Sequence, residues 1–211
     1  MPNTGPFEDH PDLYEEWFVR NDYVYKSEIE AINSLMPVFK KGIEIGAGSG
    51  RFAVPFNIKI GLEPSENMGY LAKKRGIKIV KGVAEKMPFE DESFDMVLMV
   101  TTLCFLDDAY KAFLEVYRIL EKGGHFICGF VDKDSFLGKL YQEKKDKSIF
   151  YKTAIFYSVS QVNKLLKASG FSDYRYSQTI FKPIQEIDKK EEVREGTGTG
   201  SFVAIRSVKG L

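Results

Sequence analysis

The stretch Lys41-Gly42-Ile43-Glu44-Ile45-Gly46-Ala47-Gly48-Ser49-Gly50-Arg51 constrains this chain more than any other. A short apolar run ends in an acid and passes into three glycines at alternate positions, the pattern of a first β-strand turning sharply into a helix of an α/β sheet. Glycine is needed where the backbone takes positive φ or lets a ligand approach its amides, because a side chain blocks both. The loop is therefore a candidate small-molecule site. Glycine-rich turns also serve tight geometry alone, so the rest of the chain has to carry the assignment.

At 211 residues, with 44% hydrophobic and 28% charged residues, the chain matches one soluble α/β domain with a full core. Thirty Lys and Arg balance thirty Asp and Glu, which removes the broad field of a general nucleic-acid binder. Cys104 and Cys128 show neither metal-ligand spacing nor a disulfide-rich pattern, so both read as reduced core residues and no metal is expected. The N-terminus Met1-Pro2-Asn3-Thr4-Gly5-Pro6 lacks a charged-then-apolar leader and no run reaches membrane-spanning length, so the expected setting is the cytoplasm. Without repeats or low-complexity blocks, the sequence reads as a single unit over 1–211. It divides into a helical cover over 1–40, a core over 41–131, an insertion over 132–157 and a C-terminal helix with antiparallel strands over 158–211.

Leu13 and Trp17, then Tyr14 and Phe18, recur at i, i+4 and predict an amphipathic helix; Ile29, Ile32, Leu35 and Met36 predict a second, stopped by Pro37. After the glycine loop come a short helix over 51–56, a strand over 57–63 and a helix from Pro64 through Met68, Leu71 and Ala72 to Gly76. Lys73-Lys74-Arg75 at its end complement the helix dipole. Strands over 77–82 and 94–101 follow, the latter almost unbroken in apolar character and so suited to burial on both faces. Asp107 or Asp108 caps a helix through Tyr110, Phe113, Leu114 and Tyr117 that Gly123-Gly124 would end, before a strand over 125–131. Ser158-Val159-Ser160-Gln161 has the form of a capping box for a helix reaching Gly170, and 171–180 and 202–208 read as two final strands. Strand–helix alternation up to Val131 indicates a parallel sheet, with an antiparallel pair at the end.

Dinucleotide-binding and S-adenosylmethionine-binding α/β domains both place an acid after the second strand, here Glu63. The third glycine separates them. A G-x-G-x-x-G fingerprint from Gly46 needs glycine at position 51, where this chain has Arg51, and no Gly-Lys-Ser/Thr of a phosphate-binding loop follows. Glu44 to Gly50, Gly61 to Met68, Gly82 to Phe89, Ser93 to Val97 and Arg118 to Gly124 instead resemble, in order, five signatures of class I S-adenosylmethionine-dependent methyltransferases. The closest subgroup is the small-molecule type that includes ubiquinone/menaquinone-biosynthesis methyltransferases. The resemblance implies an α/β, Rossmann-like, mostly parallel seven-stranded sheet with the last strand antiparallel and helices on both faces. It also implies S-adenosyl-L-methionine as methyl donor and S-adenosyl-L-homocysteine as product.

Residue by residue, the resemblance implies that the backbone of Gly46, Ala47, Gly48 and Gly50 surrounds the methionine part of the donor, with Glu44 supporting its ammonium side. Glu63, followed by Pro64, would accept hydrogen bonds from both ribose hydroxyls, a role that suits the two oxygens of a carboxylate. Ala84 and Glu85 would contact adenine, Met68 would pack on its ring, and Val100 with Thr101 would border the sulfonium.

Such chemistry, an in-line displacement, needs placement above all. An amine lone pair or a thiolate needs no strong base, whereas a hydroxyl or an acidic carbon does; His125, Tyr14 and Asp107 stand unranked for that role, and no catalytic residue is assigned. Val100-Thr101-Thr102-Leu103-Cys104-Phe105 lacks the Asn/Asp-Pro-Pro-Tyr/Phe sequence of enzymes that methylate planar amino groups, which disfavours that class. The expected acceptor is a small molecule rather than nucleic acid or a membrane component, and a monomer is compatible with the reading. Candidate walls for it are Tyr14, Trp17, Phe18 and Tyr25 from the cover, and Phe136, Tyr141, Phe150 and Tyr151 from the insertion. RNA or protein methylation, and binding of the donor without turnover, are the alternative readings.

Overall fold

The apolar run read as a doubly buried strand sits at the centre of the sheet in the computed structural model, which describes residues 4–210. Met1, Pro2 and Asn3, part of the stretch read for a leader, lie outside the described residues. The strands are Gly42–Ile45 (β1), Ile60–Leu62 (β2), Lys78–Val80 (β3), Phe94–Val100 (β4), Leu120–Val131 (β5), Phe171–Thr179 (β6), Arg194–Glu195 (β7) and Phe202–Lys209 (β8). They form one sheet in the order β3-β2-β1-β4-β5-β8-β6-β7. Strands β1 to β5 pair in parallel, while β8 runs antiparallel between β5 and β6. The strand count is eight rather than seven, because two residues at the end of a long connection, Arg194 and Glu195, pair with Gln178 and Ser177 at the edge of β6.

Period-two alternation along β4 sends side chains to two cores. Val97 and Met99 join Phe113 and Val116 of helix Ala109–Ile119 (α5) and Val162 and Leu166 of helix Val159–Ala168 (α7). Met96, Leu98 and Val100 join the opposite face with Phe18, Val24, Ile32 and Ala72. That face is covered by helices Pro11–Arg20 (α2), Asp22–Asn33 (α3) and Glu66–Lys74 (α4), and by Leu137 of helix Phe136–Lys144 (α6). Each fully buried Val, Leu, Ile, Phe or Met side chain among these stabilises the fold by about 1.5–3 kcal/mol.

Local sequence signals hold at several helix starts. Ser65 and Asp108 accept hydrogen bonds from Met68 and Lys111 amides, and Ser158 with Gln161 forms both halves of the capping box. Other boundaries differ. Residues 51–56 make only turns and one 3-10 turn at Val54–Phe56, because Pro55 and left-handed Asn57 stop it. Helix α5 ends at Ile119 and β5 begins at once, with Gly123-Gly124 inside that strand where its register to β4 shifts. Helix α3 stops at Asn33, short of Pro37. A further five-residue helix, Gly5–Asp9 (α1), precedes the cover; Pro6 in its first turn suits a helix start. No helix among the described residues is long and apolar enough to cross a membrane.

Candidate functional site

The order β3-β2-β1-β4-β5 reverses direction between β1 and β4, and the C-terminal edge at such a switch point leaves a crevice. Here the loops after β1 and β4 open a cleft lined by Gly46, Gly48, Glu63, Met68, Ala84 and Thr101 among others. Gly46 has φ +66° and a Cβ there would run into the Thr102 side chain; Gly48 has φ +53° and a Cβ would lie 3.2 Å from the Tyr14 hydroxyl. Both conformations favour glycine, and both glycines border the cleft with bare backbone.

Glu63 is fixed at the end of β2. Its Oε2 accepts from the Gly48 amide and its Oε1 from the Ser65 amide, each at 2.8 Å. A carboxylate has about four acceptor positions, so two remain for a ligand. Burial raises the Glu63 pKa; the Ser65 and Gly48 amides oppose that rise. The loop after β3 is held as firmly: Arg118 donates to the carbonyls of Met87 and Phe89, and Glu85 Oε1 accepts from the Asp107 amide at 2.9 Å. These contacts give the Arg118-to-Gly124 signature a structural reason.

Of the residues expected at the donor, Gly46, Gly48, Glu63, Pro64, Met68, Ala84, Glu85, Val100 and Thr101 line this cleft. Glu44, Ala47 and Gly50 do not; they are buried beneath the loop. Burial holds the Glu44 carboxyl well above the usual carboxylate range, against a hydrogen bond from Ala53, and its Oε2 has no partner. An orphaned buried carboxyl oxygen under a loop of bare amides, together with the spare acceptor positions of Glu63, fits a polar ligand carrying both an ammonium group and hydroxyls.

The N-terminal helices roof the cleft. Phe7 of α1 and Tyr14 of α2 line it, and Phe7 meets Phe105 with ring centroids 4.9 Å apart. Glu8 accepts from Ser65 Oγ and from the Asn67 amide at the α4 N-terminus, where a carboxylate also complements the dipole. Glu15 of α2 bridges Arg51 and Arg75, both at 2.5 Å, and Arg75 also donates to the Ser49 carbonyl. Arg51, the residue that breaks the dinucleotide pattern, thus ties roof to loop. Burial works to raise the Glu15 pKa, but the hydrogen bonds from Arg51 and Arg75 leave it lowered.

A second, smaller cavity lies behind Thr101, walled by Cys104, Phe130, Tyr141, Tyr151, Phe156 and Tyr157. Tyr141 and Tyr151 stack with centroids 5.0 Å apart, and Tyr151 stacks on Phe105 at 5.8 Å. Thr101 borders both cavities. Its φ of +51° is an outlier for a β-branched residue and costs about 1–3 kcal/mol. The hydrogen bond that the Thr101 amide donates to the Gly129 carbonyl, 2.8 Å, holds it there.

The residues expected around the acceptor divide. Tyr14 lines the first cavity, Tyr141 and Tyr151 the second, and Phe150 packs on Phe7. Phe18 is buried with Trp17, Tyr25 and Phe52 around it, and Phe136 is 59% exposed, so none of Trp17, Phe18, Tyr25 and Phe136 lines either cavity. His125 pairs with Met96 early in β5, whereas Gly129 pairs with Val100 at the cleft edge, which puts His125 about 13 Å away along the strand. Sequence reasoning missed Phe7, whose helix is too short to show periodicity.

A methyltransferase domain model matches residues 43–128. Over 96% of its length the chain is 49% identical to an uncharacterised protein of Methanocaldococcus jannaschii, covering 98% of that relative. A crystal structure of an S-adenosylmethionine-dependent methyltransferase from Thermotoga maritima, described as a possible histamine N-methyltransferase, superposes with a TM-score of 0.95 at 49% identity, covering 98% of this chain and 99% of that one. A mitochondrial 2-methoxy-6-polyprenyl-1,4-benzoquinol methylase of Danio rerio is 28% identical over 71% of this chain and 45% of its own length.

Proposed function

Because the chain belongs to the S-adenosylmethionine-dependent methyltransferase family, we propose that it methylates a small-molecule acceptor seated in the aromatic cavity beside Thr101. The observation that carries this reading is Thr101 itself, a strained residue bordering both cavities, where a donor's methyl group and an acceptor can meet. S-adenosylmethionine supplies the activated methyl group.

In this reading the bare backbone of Gly46 and Gly48 faces the methionine portion, while Ala47 and Gly50 shape the loop from below. Glu44 offers its unpartnered oxygen to the ammonium side, through water. Glu63 accepts the ribose hydroxyls with its two remaining acceptor positions, and Pro64 borders them. Ala84 and Glu85 edge the adenine, on which Met68 packs, and Val100 with Thr101 borders the sulfonium. The roof of α1 and α2 excludes water, and the rings of Tyr141 and Tyr151 give the acceptor a flat apolar seat. The Thermotoga relative makes histamine one acceptor to try.

The test is a crystal structure with S-adenosylhomocysteine, combined with transfer of labelled methyl from S-adenosylmethionine to a panel of small amines, phenols, quinols and thiols. The sulfur should lie against Thr101 with the aromatic cavity beyond it, and at least one panel member should be methylated. A ligand whose sulfur points away from that cavity would overturn the proposal.

A further inference from the structure

The cleft read as the donor site is poorly supplied with side chains that can donate a hydrogen bond. Among the described residues its lining holds two carboxylates, Glu63 and Glu85, but no lysine, arginine, histidine, asparagine or glutamine. The side-chain donors there are the hydroxyls of Thr4, Tyr14, Thr101 and Thr102. Thr102 is occupied, since its hydroxyl lies 3.2 Å from the Gly46 carbonyl oxygen and 3.1 Å from that of Val100. Thr101 also borders the aromatic cavity, and Thr4 stands at the start of α1, the helix whose Glu8 docks on α4.

Tyr14 stands at the glycine loop. Its hydroxyl lies 3.2 Å from where a Cβ on Gly48 would be, and both residues line the cleft. The ring is held by edge contacts with Phe7 of α1 and Phe18 of α2, at centroid distances of 6.0 and 5.0 Å. The roof itself therefore aims the phenol. Yet the hydroxyl makes no hydrogen bond with another described residue. Burial raises the Tyr14 pKa, and the carboxyls of Glu44, Glu63, Glu15 and Glu28, the last a 5%-exposed acid of α3, add to the rise. The phenol thus keeps its proton, so it can donate a hydrogen bond but cannot serve as a general base. Next along the helix, Glu15 binds two guanidinium groups, Arg51 and Arg75, a cluster that carries one positive charge in excess.

S-adenosylmethionine carries a carboxylate beside its ammonium, and the bare glycine loop has no side chain to offer it. Resting on the donor reading above, we propose that the Tyr14 hydroxyl donates a hydrogen bond to the donor's α-carboxylate, so that helix α2 recognises the amino-acid end of the ligand from the roof. A hydrogen bond to a charged oxygen is stronger than one between neutral groups. The excess positive charge around Glu15 favours an anion at this place. Recognition and closure are then one event, because the phenol meets the carboxylate only with α2 in place over Gly48.

Calorimetry with S-adenosylhomocysteine and its decarboxylated analogue, S-adenosyl-3-thiopropylamine, tests this, because the two ligands differ only in the carboxylate. The parent protein should bind S-adenosylhomocysteine about tenfold or more tighter than the analogue. Tyr14→Phe removes the hydroxyl and keeps the ring. It should weaken S-adenosylhomocysteine by about tenfold and leave the analogue within about twofold. A purely structural phenol would weaken both ligands alike, and that result overturns the proposal. An unchanged affinity for S-adenosylhomocysteine, or a parent protein that binds the two ligands equally, overturns it as well. Should Tyr14→Phe fail to fold, a crystal structure of the parent protein with S-adenosylhomocysteine decides. The Tyr14 oxygen should lie about 2.6–2.8 Å from a carboxylate oxygen, and a gap above about 3.5 Å overturns the proposal. If the parent protein binds neither ligand, the methyltransferase reading falls and takes this proposal with it; a carboxylate held elsewhere in the cleft leaves that reading standing.

Discussion

The two sides of Thr101 are built differently. On the donor side the polar groups are held in place by the fold: Glu63 is clamped by the Gly48 and Ser65 amides, Glu85 by the Asp107 amide, and the loop after β3 by Arg118. On the side proposed for the acceptor the wall is mainly rings, those of Phe130, Tyr141, Tyr151, Phe156 and Tyr157. A constant ligand can be met by preset backbone and charge, whereas a variable one is met by the shape of an apolar wall.

Four measurements would break or sharpen this contrast. The largest effect belongs to Glu28 and pH. Its folded pKa is raised to about 8 above the ordinary 4.5, so the folded state binds the extra proton between those values and loses that advantage as pH rises. Urea unfolding should therefore show Glu28→Gln gaining on the parent by on the order of 4 kcal/mol from pH 5 to pH 8. A constant difference would mean that Glu28 is solvated in the folded protein. Next, Glu63→Ala should weaken S-adenosylhomocysteine by about 30- to 100-fold, or ~2–3 kcal/mol, in calorimetry; a loss under about threefold would take the carboxylate off the ribose. Tyr141→Leu should raise the acceptor KM by roughly 5- to 10-fold and leave the donor's Kd within twofold. Parallel losses in both would mean the two walls are one unit. Smallest, Glu15→Ala should lower Tm by about 2–4 °C and donor affinity by about threefold, because the roof then rests on Glu8 and ring contacts alone; an unchanged donor Kd would detach the roof from the donor side.

The same contrast decides what could be read from sequence. Gly46 and Gly48 are legible because positive φ strongly favours glycine, and Ser158 with Gln161 because a capping box is a local rule. Glu28 is not legible, since α3 is buried by β6 and β8, strands more than 140 residues further along. The aromatic candidates suffered in the same way: Tyr141 and Tyr151 reach the cavity while Phe18 and Phe136 do not, and only the packing of α2 and α6 against the sheet sorts them. The two-residue β7 and the five-residue α1 are too short for any periodic signal.

The placement of β8 bears on how the chain is made. Seventy residues separate Val131 from Phe202, yet β8 lies directly against β5 and divides it from β6. At about 5–20 residues per second on the ribosome, the apolar edge of β5 waits several seconds for its neighbour. An unpaired edge of this kind is a template for pairing with other chains, so overexpression without enough chaperone should send the nascent protein into inclusion bodies by way of Phe126–Val131.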